Sequence, residues 1–571
     1  MYVADFETTT DPDDCRVWAW AVCEVGQPMC SCYGNSIESF MDFVKSNPDT
    51  YYFHNLAFDG EFIIHHLLSS GFSYCEGRLK ANEFDTLISD MGKYYKLRVC
   101  FERKGRKRGN VSTFKDSLKK LPMGVDAIAK AFHLPISKLS IDYDEYREPG
   151  HELTREEVDY VLNDVRIVAM ALQVQEDRGL TKLTLGSDAL NDCREFVGFR
   201  RWNNLFPELT LQADDMIRKA YRGGYTYCNP ATQADEERPN LCVGAGSVYD
   251  VNSMYPSVMS QCELPVGLPI WFDGRYETDE EYPLHVSYVT AHLKSREGRF
   301  PTLQIKRNPY FRETEYITDT EGYVELAVTN VDLEVLEAQY EMDILSYNGG
   351  FKFRCASGVF DDYIAYWMRV KATTEGGERT LAKLMLNSLY GKFATNPHVQ
   401  SKVPFMRDDG SVGYHLMPEE TRKPVYTPVG VFVTSYARRR IIEAIEHVHD
   451  RFCYCDTDSI HLTGWQPVSG MEVHPTRLGA WKHESDFDMA KYVRAKTYME
   501  RIIATGKMVD GKYEMVACEP TVDVKCAGLP EQLRRDLDFD SFRRGLVISG
   551  KLRPRHVKGG IILETTDFTL T

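Results

Sequence analysis

The stretch Phe452-Cys453-Tyr454-Cys455-Asp456-Thr457-Asp458-Ser459-Ile460 carries the densest chemistry in the chain: an aromatic and apolar run leads into two carboxylates at i and i+2. The pattern predicts strand, turn, strand, with the acids at the bend. On extended backbone that spacing puts both carboxylates on one face. As ions they repel unless a cation lies beside them, and a divalent metal answers that need. An acidic hairpin tip in water is the plainer alternative, so the companions of the pair must decide.

Acids recur at similar places elsewhere. Asp5 and Glu7 stand at i and i+2 in Val3-Ala4-Asp5-Phe6-Glu7-Thr8, again on a strand-like run. Residues 51–60 predict a strand entering a loop, with a helix from about 61 to 69; Asp59 is a candidate ligand there and Asn55 a neutral hydrogen-bonding partner. Residues 154–175 predict a helix opening on a capping box, Thr154 with Glu157, with apolar residues at helical spacing. Tyr160 and Asp164 fall one turn apart on it, and a buried Asp on so apolar a helix needs a partner. Asp250 ends a strand in Val248-Tyr249-Asp250-Val251-Asn252-Ser253-Met254-Tyr255-Pro256, ahead of a loop whose amides suit a triphosphate. Just before it, Tyr221-Arg222-Gly223-Gly224-Tyr225 lets backbone approach a ligand closely, although by itself a plain turn is the better reading.

The helix predicted over residues 380–393 has two lines. Leu381, Met385 and Leu389 form an apolar one, and Arg379, Lys383, Asn387 and Tyr390 form another near the opposite face. The second suits phosphates and a base, with Lys371 upstream.

Behind these residues stand 571 positions, enough for several domains or lobes, with 43% hydrophobic and 27% charged residues, a soluble globular balance. No apolar run has the length of a membrane span, and Met1-Tyr2-Val3-Ala4-Asp5 enters a strand pattern without a signal peptide, so a cytoplasm is expected. The 15 cysteines then predict reduced thiols; Cys30/Cys32 and Cys453/Cys455 are C-x-C pairs without the further ligands of a zinc finger. A net charge of −16 speaks against a protein that coats DNA nonspecifically. It is compatible with an enzyme whose acids hold metal while local basic clusters meet backbone. Arg103 to Arg108, Arg438-Arg439-Arg440 and Lys551 to Lys558 are such clusters, each by itself equally a solvated face.

As a set, Asp5, Glu7, Asp59 and Asp164, with Tyr160 four residues before the last acid, resemble the DEDD 3′–5′ exonucleases. The resemblance implies two Mg²⁺ ions for phosphodiester hydrolysis and Tyr160 orienting the water. It also implies that His54, Asn55, Phe58 and Phe62 hold a frayed single-stranded 3′ end, with Thr8, Ser117, Leu118, Lys138 and Tyr143 extending that groove. Ordinary core is the alternative for Phe58 and Phe62.

Farther along, Asp250 in D-x-x-S-x-Y-P, Lys383 to Gly391, Tyr454 to Ser459 and Lys496-Thr497-Tyr498 fall in the order of family B DNA polymerase motifs. Nearly the whole chain is similar to the protein-primed members of that family, in the phi29-type bacteriophage branch. Cellular members are longer and carry a separate N-terminal domain for which Asp5 leaves no room. The resemblance implies an α/β and α+β multidomain fold. A ribonuclease H-like exonuclease domain would occupy residues 1–184, followed by a right hand with palm 185–255 and 423–526, fingers 357–395 and thumb 527–571. Insertions 256–356 and 396–422 would mark protein priming, the second a hairpin tipped at Asp409-Gly410.

It further implies two Mg²⁺ (or Mn²⁺) ions held by Asp250, the Val251 backbone and Asp458, with Asp456 in support. The dNTP would meet Val251, Tyr255, Lys371, Arg379, Lys383, Asn387 and Tyr390, Tyr255 excluding a ribose 2′-hydroxyl. Template-primer DNA would meet Tyr221, Gly223, Gly224, Tyr454, Lys496 and Tyr498. Arg379 stands where the family commonly has Lys, so a planar guanidinium replaces a point charge. A terminal protein, encoded separately, would serve as primer for a monomer or a heterodimer with it, in the host cell cytoplasm. The rivals are an exonuclease or repair nuclease whose C-terminal lobe only binds DNA, and an inactive DNA-binding scaffold.

Overall fold

The computed structural model describes residues 1–102, 110–142, 145–306 and 311–570. Tyr143 and the basic run Arg103 to Arg108 lie outside them. The N-terminal part is built on an eight-stranded sheet whose centre is the parallel trio Tyr2–Thr8, Thr50–Phe53 and Asn110–Asp116. Val3, Ala4 and Phe6 are buried on it, so the strand that carries Asp5 and Glu7 is fixed from both faces. Helix Arg155–Glu176 covers one side and opens on the expected capping box, Thr154 accepting from the Glu157 amide and Glu157 from the Thr154 amide. Helix Leu56–Ser69 starts earlier than the sequence pattern suggests. Its cap comes from outside the segment: Asp116 Oδ1 accepts from the amides of Asn55 (3.1 Å) and Leu56 (3.4 Å).

A seven-stranded sheet forms the second body, with Gly246–Val251 between Ser459–Thr463 and Trp481–Arg494, and Phe452–Asp456 beyond. Thr427–His447 is buried along most of its length beneath this region. Two helices, Asp361–Thr373 and Gly376–Phe393, make an arm turned back at Thr374-Glu375. The second of them begins before residue 380, and Leu381, Met385 and Leu389 are buried while Arg379, Lys383 and Asn387 are exposed, the two expected lines. Along the chain between Gly246–Val251 and the arm, strands Leu264–Phe272, Leu284–Ser295, Val324–Thr329 and Tyr340–Ala356 form a separate four-stranded sheet with helix Asn330–Gln339. Lys402–Met406 and Val412–Leu416 make a hairpin turned at Asp409-Gly410, Asp409 accepting from the Ser411 amide. Val547–Val557 and Gly560–Thr569 make the terminal hairpin.

Three distant segments meet on helix Leu56–Ser69. Glu61, 2% exposed, accepts from the hydroxyls of Tyr94 and Tyr414 and lies 3.1 Å from the His556 imidazole. Beside it Phe62 is packed beneath Gly560. Among the described residues no helix is long and apolar enough to cross a membrane.

Candidate active sites

Strand Tyr2–Thr8 and helices Leu56–Ser69 and Arg155–Glu176 bring Asp5, Glu7, Asp59 and Asp164 together. Glu7, Asp59 and Asp164 are buried at 7, 3 and 4% exposure. Burial and the neighbouring Asp164 push the Asp5 carboxyl up to about 7. Burial, then Asp5, also raises Glu7 and Asp59, and burial raises Asp164 against the pull of Lys138, whose ammonium lies 3.1 Å from it. Asp59 still accepts from the Phe6 amide, and Asp164 Oδ1 is buried without a hydrogen-bond partner. So much clustered negative charge fits divalent cations, and the all-oxygen donor set fits Mg²⁺ or Mn²⁺. Among the described residues no group of three or more His, Cys, Asp or Glu is placed to hold a metal ion by itself. Substrate oxygens would have to complete the shell, as is usual for Mg²⁺.

The groove residues sort by exposure. Asn55 is exposed in a left-handed conformation (φ 78°), with Thr8, Phe58, Leu118 and Lys138 part-buried or exposed nearby in the chain fold. The His54 ring is taken up by Ser117 Oγ (3.0 Å) and the Met123 carbonyl (2.7 Å). Two expected contacts need correction. Ser117 has no exposed surface and bonds the Phe53 carbonyl, so it props His54 instead of meeting a strand. Phe62 is 2% exposed in the core under the terminal hairpin, where no base can stack on it in this arrangement. Tyr160, 2% exposed, sits one turn from Asp164 as expected.

In the second body, Asp250 and Asp458 come together because strand Gly246–Val251 pairs with Ser459–Thr463, and the Val251 amide donates to the Asp458 carbonyl (2.8 Å). The turn between Asp456 and Asp458 is tight: Thr457 has φ 62°. A Cβ on Gly224 would come within 2.7 Å of Thr457 Cγ2, so the diglycine is a close approach to this turn. Burial, then Asp458, raises the Asp250 carboxyl to about 8; burial, then Asp456, raises Asp458 to about 6. Asp456 is held by Thr226 Oγ1 (2.9 Å) and the Lys496 ammonium (3.3 Å).

Lys371 reaches the left-handed Ser253 (Nζ to Oγ, 3.2 Å), and Arg379 donates to the Lys371 carbonyl (2.8 Å). The rings of Tyr255 and Tyr390 stack with centroids 3.8 Å apart. Tyr221 is half-buried close enough to Tyr390 to interact with it, and Tyr498 packs on Tyr454. Tyr454 itself corrects another expectation: it has no exposed surface, and its hydroxyl accepts from the Lys496 amide (2.8 Å), so it positions Lys496 instead of touching DNA.

Several groups escaped the sequence patterns. Lys482 pairs in register with Asp250, and a β-bulge leaves Glu484 as the extra residue between Ser485 and His483, near both acids. Arg438, from the triple-arginine run, is buried on Asp332 and donates to the carbonyls of Arg222 and Gly223, bracing the diglycine. Thr226, which donates to Asp456, and Asp116, which caps helix Leu56–Ser69, carry no signal in the sequence patterns above.

Comparison with known proteins agrees with this layout. Residues 41–472 match the family described as DNA polymerase type B, organellar and viral. The DNA polymerase of Bacillus phage M2 is 45% identical over all of this chain and 99% of its own length, that of Bacillus phage phi29 42% over the same shares, and that of Streptococcus phage Cp-1 30% over all of this chain and 98% of its own. The structure of phi29 DNA polymerase with primer-template DNA superposes with a TM-score of 0.94 at 41% identity, covering both chains fully; the form bound to single-stranded DNA gives 0.93. From end to end, then, the chain belongs to the viral and organellar type B DNA polymerases and is a DNA-directed DNA polymerase of mixed α/β architecture.

Proposed function

We propose that this polymerase replicates a linear viral genome from a protein primer, displacing the non-template strand processively, and proofreads 3′–5′ with the acids of its N-terminal sheet. The observation that carries it is the presence in one chain of two separate carboxylate clusters, Asp5/Glu7/Asp59/Asp164 on one strand and two helices and Asp250/Asp458 at the ends of paired strands. Its setting is a host cytoplasm, with template-primer DNA as partner and a separate terminal protein for initiation. The inserted sheet of residues 264–356 and the hairpin around Asp409-Gly410 are the surfaces for that protein and for encircling DNA.

In extension, Lys371, Arg379 and Lys383 bind the triphosphate, Asn387 and Tyr390 flank the base and sugar, and Tyr255 fills the space of a 2′-hydroxyl. Lys496 and Tyr498 steady the primer terminus. Asp250, the Val251 carbonyl and Asp458 would hold two Mg²⁺ ions, with Asp456 in support; when bound, these would lower the pKa of the primer hydroxyl and neutralise charge on the leaving pyrophosphate. In proofreading, Asn55 and Phe58 guide the strand and Tyr160 orients the attacking water. In initiation a side-chain hydroxyl of the terminal protein takes the place of the primer 3′ end.

Incubation with the cognate terminal protein, Mg²⁺ and labelled dATP should yield a covalent nucleotide–protein adduct that depends on Asp458. Extension of a DNA primer without any adduct, tested with each of the four dNTPs, would refute protein priming while leaving polymerisation intact.

A further inference from the structure

The two-helix arm that bears Lys371, Arg379 and Lys383 is rooted near Phe360 and Phe393, both buried in the main core, and its far end rests on the N-terminal domain. That far end is tied by specific contacts. Arg178 extends its guanidinium to both oxygens of Glu378 and donates to the Tyr366 hydroxyl (2.7 Å), spanning both helices of the arm. Thr380 Oγ1 donates to the Ala131 carbonyl (2.9 Å). A Cβ on Gly377 would lie 2.7 Å from the Phe132 ring, so only glycine allows this close approach.

With the arm so held, the space a nucleotide needs is filled. The Tyr255 and Tyr390 rings stack face to face at 3.8 Å, leaving no gap for a base or sugar between them. Arg379 spends a donor on the Lys371 carbonyl. Tyr390 lies twelve residues beyond Glu378 on one continuous helix, about 18 Å along its axis, so parting the rings moves the helix against its tether.

We propose that Arg178 is a positioning residue for nucleotide binding: through Glu378 and Tyr366 it latches the arm in a withdrawn position and thereby sets the apparent affinity for dNTP. The inference rests on Arg379 and Lys383 being the triphosphate ligands. Because a ligand's apparent dissociation constant scales inversely with the fraction of competent protein, a weaker latch gives a lower KM. A bidentate ion pair about a third exposed has a modest effect, so the expected fall for Arg178→Ala is roughly two- to five-fold, with kcat unchanged. Correct and incorrect dNTPs gain equally, since both need the same arm movement.

Single-nucleotide insertion on a DNA primer, with KM and kcat separated, tests this on the full chain. Arg178→Ala and the double variant with Glu378→Ala should lower KM by the same factor, Glu378→Ala alone by no more than that because the Tyr366 bond survives it, and the swapped pair Arg178→Glu with Glu378→Arg should return it toward the starting value. An unchanged or raised KM in Arg178→Ala, additive effects in the double variant, or no recovery in the swap would overturn the latch; unaltered degradation of single-stranded DNA shows that the variants are folded. Lys383→Ala separates the two levels. If it raises KM while Arg178→Ala does not lower it, the latch alone fails; if it leaves KM unchanged, the phosphate-binding role fails first.

Discussion

The two acid clusters handle the same excess of negative charge in opposite ways. In the N-terminal domain Glu7, Asp59 and Asp164 are sunk into the fold, and the cations that act on the cluster are Lys138 and, toward Glu7, Arg147. In the second sheet Asp250, Asp456 and Asp458 are half-buried and ringed by Lys371, Lys482 and Lys496. On the proposed function the substrates account for the contrast: a triphosphate brings several charges of its own, so its site would keep cations in reserve and stay open, whereas a single phosphodiester brings one, and its site would close over the acids and leave their neutralisation to metal.

The comparison breaks most visibly by removing one acid from each side. Asp458→Ala should reduce dNTP incorporation by on the order of 10³-fold or more while single-stranded DNA is still degraded; Asp164→Ala should do the converse, both read on one labelled primer. If either variant lost both activities, the clusters would not be separate sites.

Protons sharpen it at an intermediate scale. Metal binding must displace them, so raised carboxyls make the Mg²⁺ requirement depend on pH. With Asp250 at about 8 and Asp5 at about 7, and Glu7 and Asp59 raised by burial as well, the Mg²⁺ concentration for half-maximal activity should rise as pH falls from 8 to 6, for incorporation and degradation alike. A flat requirement over that range would contradict the burial of these groups.

The smallest effect is on stability. The Asp5 carboxyl is raised in the folded chain, so its contribution is fully present below its ordinary value near 4 and lost as pH rises through about 7. In chelator at pH 8, Asp5→Asn should therefore raise the melting temperature by roughly 2–4 °C, and at pH 4 it should change little. A loss of stability at pH 8 would mean the acids are not in conflict.

Much of this was legible in the sequence where the cause is local. The capping box at Thr154, the two lines of the Arg379 to Tyr390 helix and the turn at Asp409-Gly410 depend on residues a few positions apart, and all are present. The strand placement of Asp5, Glu7, Asp250 and Asp456 was legible too, because each acid follows or interrupts an apolar run. What escaped depends on partners far along the chain. The start of helix Leu56–Ser69 is set by Asp116, the arm's resting place by Arg178, and the burial of Phe62 by Gly560. Tyr454 misled for a different reason: an aromatic beside catalytic acids suits DNA and core alike, and only the stacked Tyr492 and the Lys496 amide show which.

The meeting of Glu61 and Phe62 with Tyr414, His556 and Gly560 has a consequence for biogenesis. The N-terminal domain emerges from the ribosome first, yet the cover over its Phe62 is encoded some 500 residues later. At about 5–20 residues per second the nascent domain spends roughly half a minute to nearly two minutes without that cover over the apolar ring, and without His556 beside the Glu61 carboxylate. The ring of contacts joining the N-terminal domain, the Asp409-Gly410 hairpin and the terminal hairpin is thus the last part of the molecule to close, and a chain cut short before residue 560 leaves the ribosome with its first domain unsealed.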